Sequence, residues 1–465
     1  MDHHVDLDNT QPSKNPCNSH CTLHSLSLTH SPRSNPIQPI TLHTTNIHST
    51  STHTTNNSNN ANSGIDSRAL SKIKKIIGEK LAMKNKPKIA LVGSRGIPPR
   101  YGGAETFVYE LSKRLRDYFD VYVTCESDHF GVDEYEGIKR VHIWAKHTPT
   151  TTIPIIYDII ATLYLLKKVK DISVVYYVAP DGAYASVIAK IARKKTIINT
   201  DGIEWKRLII RMKYAPLYLK PLYLTTAVAL LVAEFLASKL PDITIADSLA
   251  IKKYLERKWK TKKVVYISYG VRKLPPICEE KQGDILRTLG LKPLGYYLTI
   301  ARLVPENGIH LEIEAFKKTI TDKSLVIVGS LHLRDTYIKH LIKLKGNDTR
   351  IRFLGGIYDS QTLSVLRANC TAYIHPYTVG GTNPSLLEQM LYDRPIIAYD
   401  VPFHREILRE KGYYFKTADE LAQILSMIEA ENITLKFLPN LAVISWNFIT
   451  HRYKNILKLM LMNKN

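Results

Sequence analysis

Cysteine is scarce in this chain, and the few cysteines are far apart. There are five in 465 residues, namely Cys17, Cys21, Cys125, Cys278 and Cys370. This odd, scattered set does not resemble the dense disulfide framework of a small secreted domain. A signal peptide is lacking as well, because the N-terminal segment is rich in Ser, Thr, Asn and His and has few apolar runs. Both absences predict a protein of the reducing cytoplasm.

Long apolar runs are also rare. The longest uncharged, mainly apolar stretch extends from Pro221 to Ala233, whereas a membrane-spanning helix needs roughly 20 residues. We therefore expect no transmembrane helix. The hydrophobic fraction of 44% is ordinary for a soluble protein, and 465 residues exceed what one core usually serves. The length predicts two domains plus appendages.

Acidic residues are outnumbered by basic ones. Lys and Arg total 64 against 42 Asp and Glu, which gives a formal net charge of +22. Such an excess indicates an anionic partner, for which nucleic acid, a phospholipid surface and a phosphorylated small molecule are candidates. No RNA- or DNA-binding module is recognisable and the basic residues are dispersed, so no nucleic-acid partner is expected.

The N-terminal segment has low complexity. Residues 1–63 are too poor in apolar side chains to offset chain entropy and are predicted to be disordered. The CNSHCTLH segment places Cys17, His20, Cys21 and His24 at spacings that a metal could use, but no second ligand pair follows. The alternatives are a tolerated tail, or a start codon assigned too early, with Met83 as the later candidate. A short basic amphipathic helix is expected at 64–84.

Strand-like and helical segments alternate from residue 85 onward. The first strand-like run lies in KPKIALVGS, and others follow at 121–125, 141–144, 174–178, 196–199, 243–247 and 264–268. A second series occupies 296–301, 324–330, 351–356, 372–376 and 395–400. This rhythm predicts an α/β fold with two parallel-sheet domains, at 85–272 and 273–442, followed by a helix at 443–465. Their shared site should lie in the cleft between them, beyond the carboxyl ends of the strands.

A glycine-rich loop follows the first strand. In GSRGIPPRYGGAETF, four glycines precede a predicted helix: Gly93, Gly96, Gly102 and Gly103. Glycines let backbone N–H groups approach a phosphate, and the helix N-terminus adds partial positive charge. The loop matches neither the Walker nor the dinucleotide spacing, and a plain turn is the alternative.

Charged or polar residues follow three further predicted strands. NTDGIEWKR carries Asp201 and Glu204, which suit acid or base chemistry; alternatively, Asp201 caps a helix and Glu204 pairs with a nearby cation. In LTIARLVPEN, Arg302 suits a diphosphate, with a surface salt bridge as the alternative. In YIHPYTVGGTNPSLLEQM, a donor-rich turn precedes a helix whose Glu388 could accept hydrogen bonds from ribose hydroxyls, unless it is simply a surface glutamate.

These motifs together resemble those of a family 4 glycosyltransferase of GT-B architecture, in the branch that includes bacterial rhamnosyltransferases. The matching segments span about residues 86 to 460 and are GSRGIPPRYGGAET, DGIEWKR, ADS, YGV, ARLVPEN and GGTNPSLLEQM. The resemblance implies two facing Rossmann-like domains and a C-terminal helix that crosses back to the first. It also implies metal-independent, anomer-retaining hexosyl transfer from a nucleoside-diphosphate sugar, without a cofactor. The acceptor is often lipid-linked or a glycan, in polysaccharide or glycoconjugate assembly.

The same resemblance assigns roles to individual residues. Asp201 and Arg302 would be catalytic, with Arg302 on the diphosphate, and Glu105 and Glu204 would lie on the acceptor side. The remaining donor-binding residues would be Gly102, Gly103, Asn307, Thr382, Asn383, Ser385 and Glu388.

Two positions depart from the wider family. Gly380 stands where relatives have a glutamate, and Asn307 stands where they have a phosphate-binding lysine. Both departures resemble the rhamnosyltransferase-like branch, so rhamnose or another hexose is expected. A non-catalytic GT-B scaffold that binds sugar nucleotides, or a nucleotide-sugar epimerase, stays open. Apolar helices predicted around 154–166 and 217–237 are consistent with peripheral contact at the inner face of the cell membrane, although core packing explains them equally well.

Overall fold

The computed structural model describes residues 86–99, 102–145, 154–271, 279–431 and 444–462. The predictions for the tail at 1–63, its CNSHCTLH segment and the helix at 64–84 lie outside the described residues. The predicted boundary at 272 and 273 falls in another such gap, so the domain limits stay a prediction.

The first half of the chain forms an eight-stranded sheet. Its strands are β1 (Lys88–Val92), β2 (Asp120–Ser127), β3 (Gly131–Tyr135), β4 (Ile138–Trp144), β5 (Ile172–Tyr177), β6 (Lys195–Thr200), β7 (Ile243–Ala246) and β8 (Val264–Tyr266). Their spatial order is β3-β4-β2-β1-β5-β6-β7-β8. The neighbours are parallel except β3 and β4, which form an antiparallel hairpin.

Helices cover both faces of this sheet, which is why its central strands are continuously apolar. The helices are α1 (Gly103–Leu115), α2 (Pro154–Lys168), α3 (Ala183–Ile191), α4 (Glu204–Met212), α5 (Lys220–Lys239) and α6 (Leu249–Trp259). The inner sides of α2, α3 and α5 share one core with the strands. On the opposite face, α1 packs into a second core.

The second half repeats the pattern with six parallel strands. They are β9 (Tyr296–Ile300), β10 (Ser324–Val328), β11 (Ile351–Gly355), β12 (Ala372–His375), β13 (Ile396–Tyr399) and β14 (Tyr413–Phe415), in the order β11-β10-β9-β12-β13-β14. The accompanying helices are α7 (Glu279–Thr288), α8 (Ile309–Lys318), α9 (Thr336–Lys345), α10 (Ser360–Asn369), α11 (Pro384–Gln389), α12 (Pro402–Leu408) and α13 (Ala418–Glu431). The predicted α/β fold with two parallel sheets is confirmed.

The last helix, α14 (Trp446–Met462), returns to the first domain. The Tyr453 hydroxyl lies 3.3 Å from that of Tyr176 on β5. The rings of Trp446 and Phe107, the latter on α1, have centroids 6.1 Å apart. These contacts confirm the predicted crossover.

One helix among the described residues is long and apolar enough to cross a membrane, judged by length and composition alone. It covers Leu217–Lys239, 23 residues with a mean hydropathy of 1.6 and 28% of the apolar window buried. The longest uncharged stretch, Pro221 to Ala233, lies inside this helix and ends at Glu234, and the expectation that the chain has no transmembrane helix stays a prediction. A single carboxylate does not end a helix whose flanks remain apolar.

Two strands were not predicted from the sequence. In β3, Val132, Asp133 and Glu134 are all exposed, so the segment shows no alternation of apolar and polar residues. β14 has three residues and lies at the edge of the second sheet. Pairing with a neighbour, rather than local pattern, makes both of them strands.

Candidate functional site

The two sheets meet at the carboxyl ends of their strands. Asp247 follows β7 of the first sheet, and Thr382 lies in the turn after β12 of the second. Thr382 Oγ1 donates a hydrogen bond to the main-chain oxygen of Asp247 at 2.6 Å. A Cβ on Gly381 would overlap the Asp247 carboxylate, so only glycine permits this approach. The walls of the predicted cleft touch at this point.

The start of α1 forms one wall of the cleft. Gly102 precedes the helix with φ of 110°, which glycine adopts readily, and no side chain caps the helix. The Cβ position of Gly103 lies 3.3 Å from Pro384 Cγ on the second domain. Uncapped N–H groups and the helix dipole make this end attractive to an anion.

Glu105 belongs to the same helix end. Its Oε2 lies 2.9 Å from the Cβ position of Gly102, and its side chain is buried. Burial raises the pKa of Glu105, while its own backbone hydrogen bond and the charges of Arg95 and Arg302 oppose the rise. The structure therefore places this predicted acceptor-side residue beside the predicted donor residues Gly102 and Arg302.

Arg302 follows β9, separated from it by Ala301, and is exposed. It makes no ion pair with the described residues, so the surface salt bridge considered as its alternative is absent there. Its positive charge opposes the rise in the pKa of both Glu105 and Asp201 across the cleft. Asn307 Nδ2 donates to the Arg302 main-chain oxygen at 2.8 Å, and Asn307 is 2% exposed. Asn307 thus holds the backbone that carries Arg302, and direct donor contact by Asn307 stays a prediction.

Glu388 on α11 is held by a buried arginine. Arg367 is 1% exposed, and its Nη2 donates to Glu388 Oε2 at 2.9 Å and to Ser385 Oγ at 3.0 Å. The Tyr373 hydroxyl lies 2.8 Å from Ser385 Oγ. Asn383 Oδ1 caps the helix by accepting from the Ser385 N–H at 2.8 Å. Oε1 of Glu388 accepts no hydrogen bond from the described residues and remains available to a ligand.

A pocket lies between the start of α1 and α11. Its lining comes from both domains and from the C-terminal helix, and consists of Gly103, Thr106, Phe107, Tyr269, Gly270, Pro384, Glu388 and Trp446. Two predicted donor-binding residues from opposite walls, Gly103 and Glu388, therefore share one pocket.

Asp201 and Glu204 follow β6 along the chain, and the side chain of Arg207 lies between the two domains. The Arg207 guanidinium pairs with Glu204. It lies 2.7 Å from the Cβ position of Gly202 and 3.5 Å from that of Gly380. Arg207 therefore fills the space beside Gly380.

Asp201 has a perturbed pKa. Burial raises it to about 6, the Glu204 charge adds to the rise, and Arg207 and Arg302 oppose it. Ile203 holds the N-cap position of α4 without a side-chain hydrogen bond, so Asp201 does not cap this helix. Its Oδ1 is buried and has no hydrogen-bond partner among the described residues.

Three further carboxylates near the cleft were not predicted as site residues. Asp181 follows β5, and burial, with the nearby Glu204 charge second, raises its pKa to about 7. Asp158 and Asp247 are buried and have pKa values raised well above the usual range, mainly by burial. Asp181 and Asp247 each follow a strand, a position that could have identified them. No group of three metal-ligating side chains occurs within the described ranges.

Two families match the two halves of the chain. Residues 86–272 match "Domain of unknown function (DUF1972)", and residues 290–436 match "Glycosyl transferases group 1". The chain thus carries a glycosyltransferase group 1 domain on its second sheet. No curated protein matches it in sequence.

Several solved structures share the fold of this chain. Sucrose-phosphate synthase (tll1590) from Thermosynechococcus elongatus superposes with a TM-score of 0.67 at 17% identity, covering 82% of this chain and 100% of that one. Anabaena Alr3699/HepE in complex with UDP and glucose gives 0.61 at 18%, covering 80% and 100%. An α,α-trehalose-phosphate synthase (UDP-forming) from Burkholderia xenovorans in complex with glucose-6-phosphate gives 0.59 at 13%, covering 81% and 100%. These likenesses show that the chain has the GT-B fold.

Proposed function

We propose that this chain, which carries a glycosyltransferase group 1 domain, transfers a hexosyl group from a nucleoside-diphosphate sugar to a lipid-linked or glycan acceptor. The observation that carries the proposal is the shared pocket, where the uncapped start of α1 faces Glu388 on the other domain. An anion-binding helix end opposite a fixed carboxylate suits a molecule with phosphates at one end and ribose hydroxyls at the other.

The donor-binding residues have different tasks in this proposal. Glu388 accepts from the ribose hydroxyls, and its bond to Arg367 holds the carboxylate in place. The N–H groups at Gly103 approach the phosphates. Ser385 and the turn at Thr382 and Asn383 face the sugar or the phosphates. The main-chain N–H groups of Thr382 and Asn383 are the donors there, because the side chains hold the turn together and the Ser385 N–H is bound to Asn383 Oδ1.

Arg302 stabilises the leaving diphosphate. Negative charge grows on the diphosphate as the bond to the sugar breaks, and an exposed guanidinium without an ion-pair partner in the described chain is available to bind it. The acceptor hydroxyl attacks from the same face and the departing phosphate takes its proton, which retains the anomeric configuration. No metal and no protein nucleophile are needed.

Asp201 and Glu204 face the acceptor in this scheme. An Asp201 carboxyl with a pKa of about 6 exchanges protons near neutral pH and suits hydrogen bonding to a sugar hydroxyl in either state. Arg207 occupies the space beside Gly380 and restricts the sugar pocket there. A sugar pocket altered in this way supports rhamnose or another hexose as the transferred sugar. It also supports placing the chain in the rhamnosyltransferase-like branch of family 4.

The assembly context follows from the same resemblance. We place the reaction in polysaccharide or glycoconjugate assembly, in the cytoplasm and at the inner face of the cell membrane. The UDP-glucose complex of Anabaena Alr3699/HepE supports starting the donor search with nucleoside-diphosphate hexoses.

The test combines a donor screen with two variants. The protein is incubated with a panel of nucleoside-diphosphate sugars and membrane-lipid acceptors, and products are identified by mass spectrometry. Arg302→Ala and Glu388→Ala each remove charge-assisted hydrogen bonds worth roughly 1.5 to 3 kcal/mol, so kcat/KM should fall roughly 10- to 150-fold. Arg287→Ala is the control, since its ion pair with Asp284 on α7 is exposed.

Full activity in both variants would contradict the proposed donor site. Release of an altered free sugar without an acceptor would indicate an epimerase, and donor binding without any product would indicate a scaffold.

A further inference from the structure

The outer surface formed by α2, α3 and α5 is apolar. The three helices lie over one face of the first sheet, where their inner side chains share a core with the strands, and α3 packs against both of its neighbours. Their outer sides carry large hydrophobic residues that no described part of the chain covers. We call the outer sides of these three helices the apolar face.

The stripe on α5 is the longest part of the apolar face. Leu224, Val228, Val232 and Phe235 are 52%, 54%, 43% and 40% exposed. Their spacing of four, four and three residues keeps all of them on one side of the helix. Leu217, just before the helix, is 80% exposed.

Similar stripes occur on the two neighbouring helices. On α2, Ile156, Ile160 and Leu163 are 54%, 38% and 53% exposed, again at helical spacing. On α3, Val187 and Ile191 are 39% and 78% exposed. A soluble monomer seldom exposes a contiguous apolar surface of this extent without a partner.

Charge on the three helices is one-sided. They contain five lysines, namely Lys167, Lys168, Lys190, Lys220 and Lys239. Their two carboxylates, Asp158 and Glu234, are 2% and 3% exposed. No negative side chain of these helices therefore opposes an anionic surface. Lys190 pairs at 3.6 Å with Asp242, which lies just after α5, and the other four lysines, at the helix ends, complement such a surface.

The α5 helix is fixed to the first domain and cannot leave it to span a bilayer. Glu234 accepts hydrogen bonds from Trp205 Nε1 at 3.2 Å and Trp259 Nε1 at 2.8 Å, and it pairs with Lys258 at 3.0 Å. The Tyr184 hydroxyl on α3 donates to the Ala229 main-chain oxygen at 2.8 Å. Withdrawing the helix would break these contacts and leave the buried Glu234 without them, so the helix lies along the domain surface.

We infer that the apolar face docks in the plane of an anionic phospholipid bilayer, with its hydrophobic stripes in the headgroup region and its lysines against the lipid phosphates. Interfacial helices of this type insert their apolar side about 5–10 Å. The cleft lies close to this surface, because α4, which carries Glu204 and Arg207, is bonded to α5 through Trp205 and Glu234. A membrane-embedded acceptor would therefore approach the Asp201 side of the cleft. The docking surface itself does not depend on the transfer reaction.

Vesicle flotation of the full chain tests this inference. The wild type should float with vesicles of equal phosphatidylglycerol and phosphatidylcholine, and binding should weaken at high salt and with pure phosphatidylcholine. Val228→Glu places a charge in the centre of the stripe and should reduce the bound fraction at least tenfold. Ile320→Glu is the matched control, since Ile320 is a 96% exposed hydrophobic residue on the second domain.

Two results of this experiment would overturn the inference. Equal flotation of Val228→Glu and the wild type, both folded by circular dichroism, would overturn the inference. So would a wild type that ignores anionic vesicles and forms a dimer that Val228→Glu dissociates, since the face would then bind a second copy. Transfer to a water-soluble acceptor should persist in Val228→Glu, which separates failure of docking from failure of the proposed activity.

Discussion

Buried carboxylates differ from one another in what surrounds them. Burial raises the pKa of Asp201 to about 6 and that of Glu312 to about 8. Asp201 has the charges of Glu204, Arg207 and Arg302 around it. Glu312, inside the second domain, accepts a hydrogen bond from Thr299 Oγ1 at 2.5 Å. A buried carboxylate among charges of both signs at a cleft, such as Asp201, indicates a functional site. A buried carboxyl whose partner is a hydroxyl group, such as Glu312, belongs to the core.

The pKa of Asp201 predicts how stability depends on pH. In the unfolded chain Asp201 ionises near its usual 3.8, but in the folded protein only near 6. Folding is therefore progressively disfavoured as the pH rises from about 4 to about 6, and above that the loss is constant. Asp201→Asn should remove this loss and gain about 1 to 3 kcal/mol in the free energy of unfolding at pH 8, with little change at pH 4, while transfer falls. Urea unfolding at both pH values measures it.

Glu312→Gln is the matched variant for the core. Burial of Glu312 lowers the free energy of unfolding as the pH rises from about 4.5 to about 8. Glu312→Gln should therefore also gain stability at pH 8, but it should keep full transfer activity. Equal loss of transfer in both variants would remove the reason for placing Asp201 in the site.

At the level of elements, α4 is joined to the second domain by one ion pair. Arg211 Nε donates to both carboxylate oxygens of Glu306 at 3.0 Å, and Glu306 is 1% exposed. Glu306 lies in the single 3₁₀ turn Pro305–Asn307 that follows Arg302. The pair therefore links the acceptor-side helix to the segment that positions the diphosphate-binding arginine.

Arg211→Ala should lower the melting temperature because it leaves a buried carboxylate unpaired, at a cost of about 3–5 kcal/mol. Adding Glu306→Gln should recover part of this loss, because a neutral amide is easier to bury. Calorimetry of the two variants beside Arg287→Ala, an exposed pair worth at most about 1 kcal/mol, measures the effect. If the single and the double variant have the same melting temperature, the ion pair does not act by offsetting the cost of burying the Glu306 charge.

For the molecule as a whole, the cleft is closed. Thr382 bonds to Asp247, and Glu406 on α12 accepts from the N–H groups of Leu249 and Ala250 at 3.0 and 3.1 Å. The shared pocket is narrow at this separation, since Pro384 approaches the start of α1. A donor as large as a nucleotide sugar requires the domains to separate and close again.

Gly381→Ala should prevent full closure, because its Cβ would overlap the Asp247 carboxylate. We expect a folded protein with a larger radius of gyration by small-angle scattering and a kcat at least tenfold lower. Gly283→Ala is the control, because a Cβ on Gly283 meets nothing within 4 Å. A radius of gyration and kcat equal to those of the control would show that closure does not depend on this contact.

The sequence by itself determined most of the fold. Continuous apolar runs such as 89–92 and Ile396–Tyr399, alternating with helical segments, predict a parallel α/β arrangement, because strands covered on both faces need such runs. Strand ends followed by glycine or charge also pointed to the cleft, and Gly103, Asp201, Arg302 and Glu388 follow β1, β6, β9 and β12 along the chain. Their roles in binding donor and acceptor stay predictions. The edge strand β3 could not be found this way, because its exposed residues carry no pattern.

Only the tertiary structure decided which of these side chains act together. Arg367 holds Glu388, Arg207 fills the space beside Gly380, and the backbone of Gly381 lies against Asp247. The last two contacts join residues from different domains. The apolar face likewise combines three helices that are separate in sequence. Local sequence pattern depends on neighbours within a turn or a strand, whereas these arrangements depend on how two sheets pack, and that is fixed only when the whole chain folds.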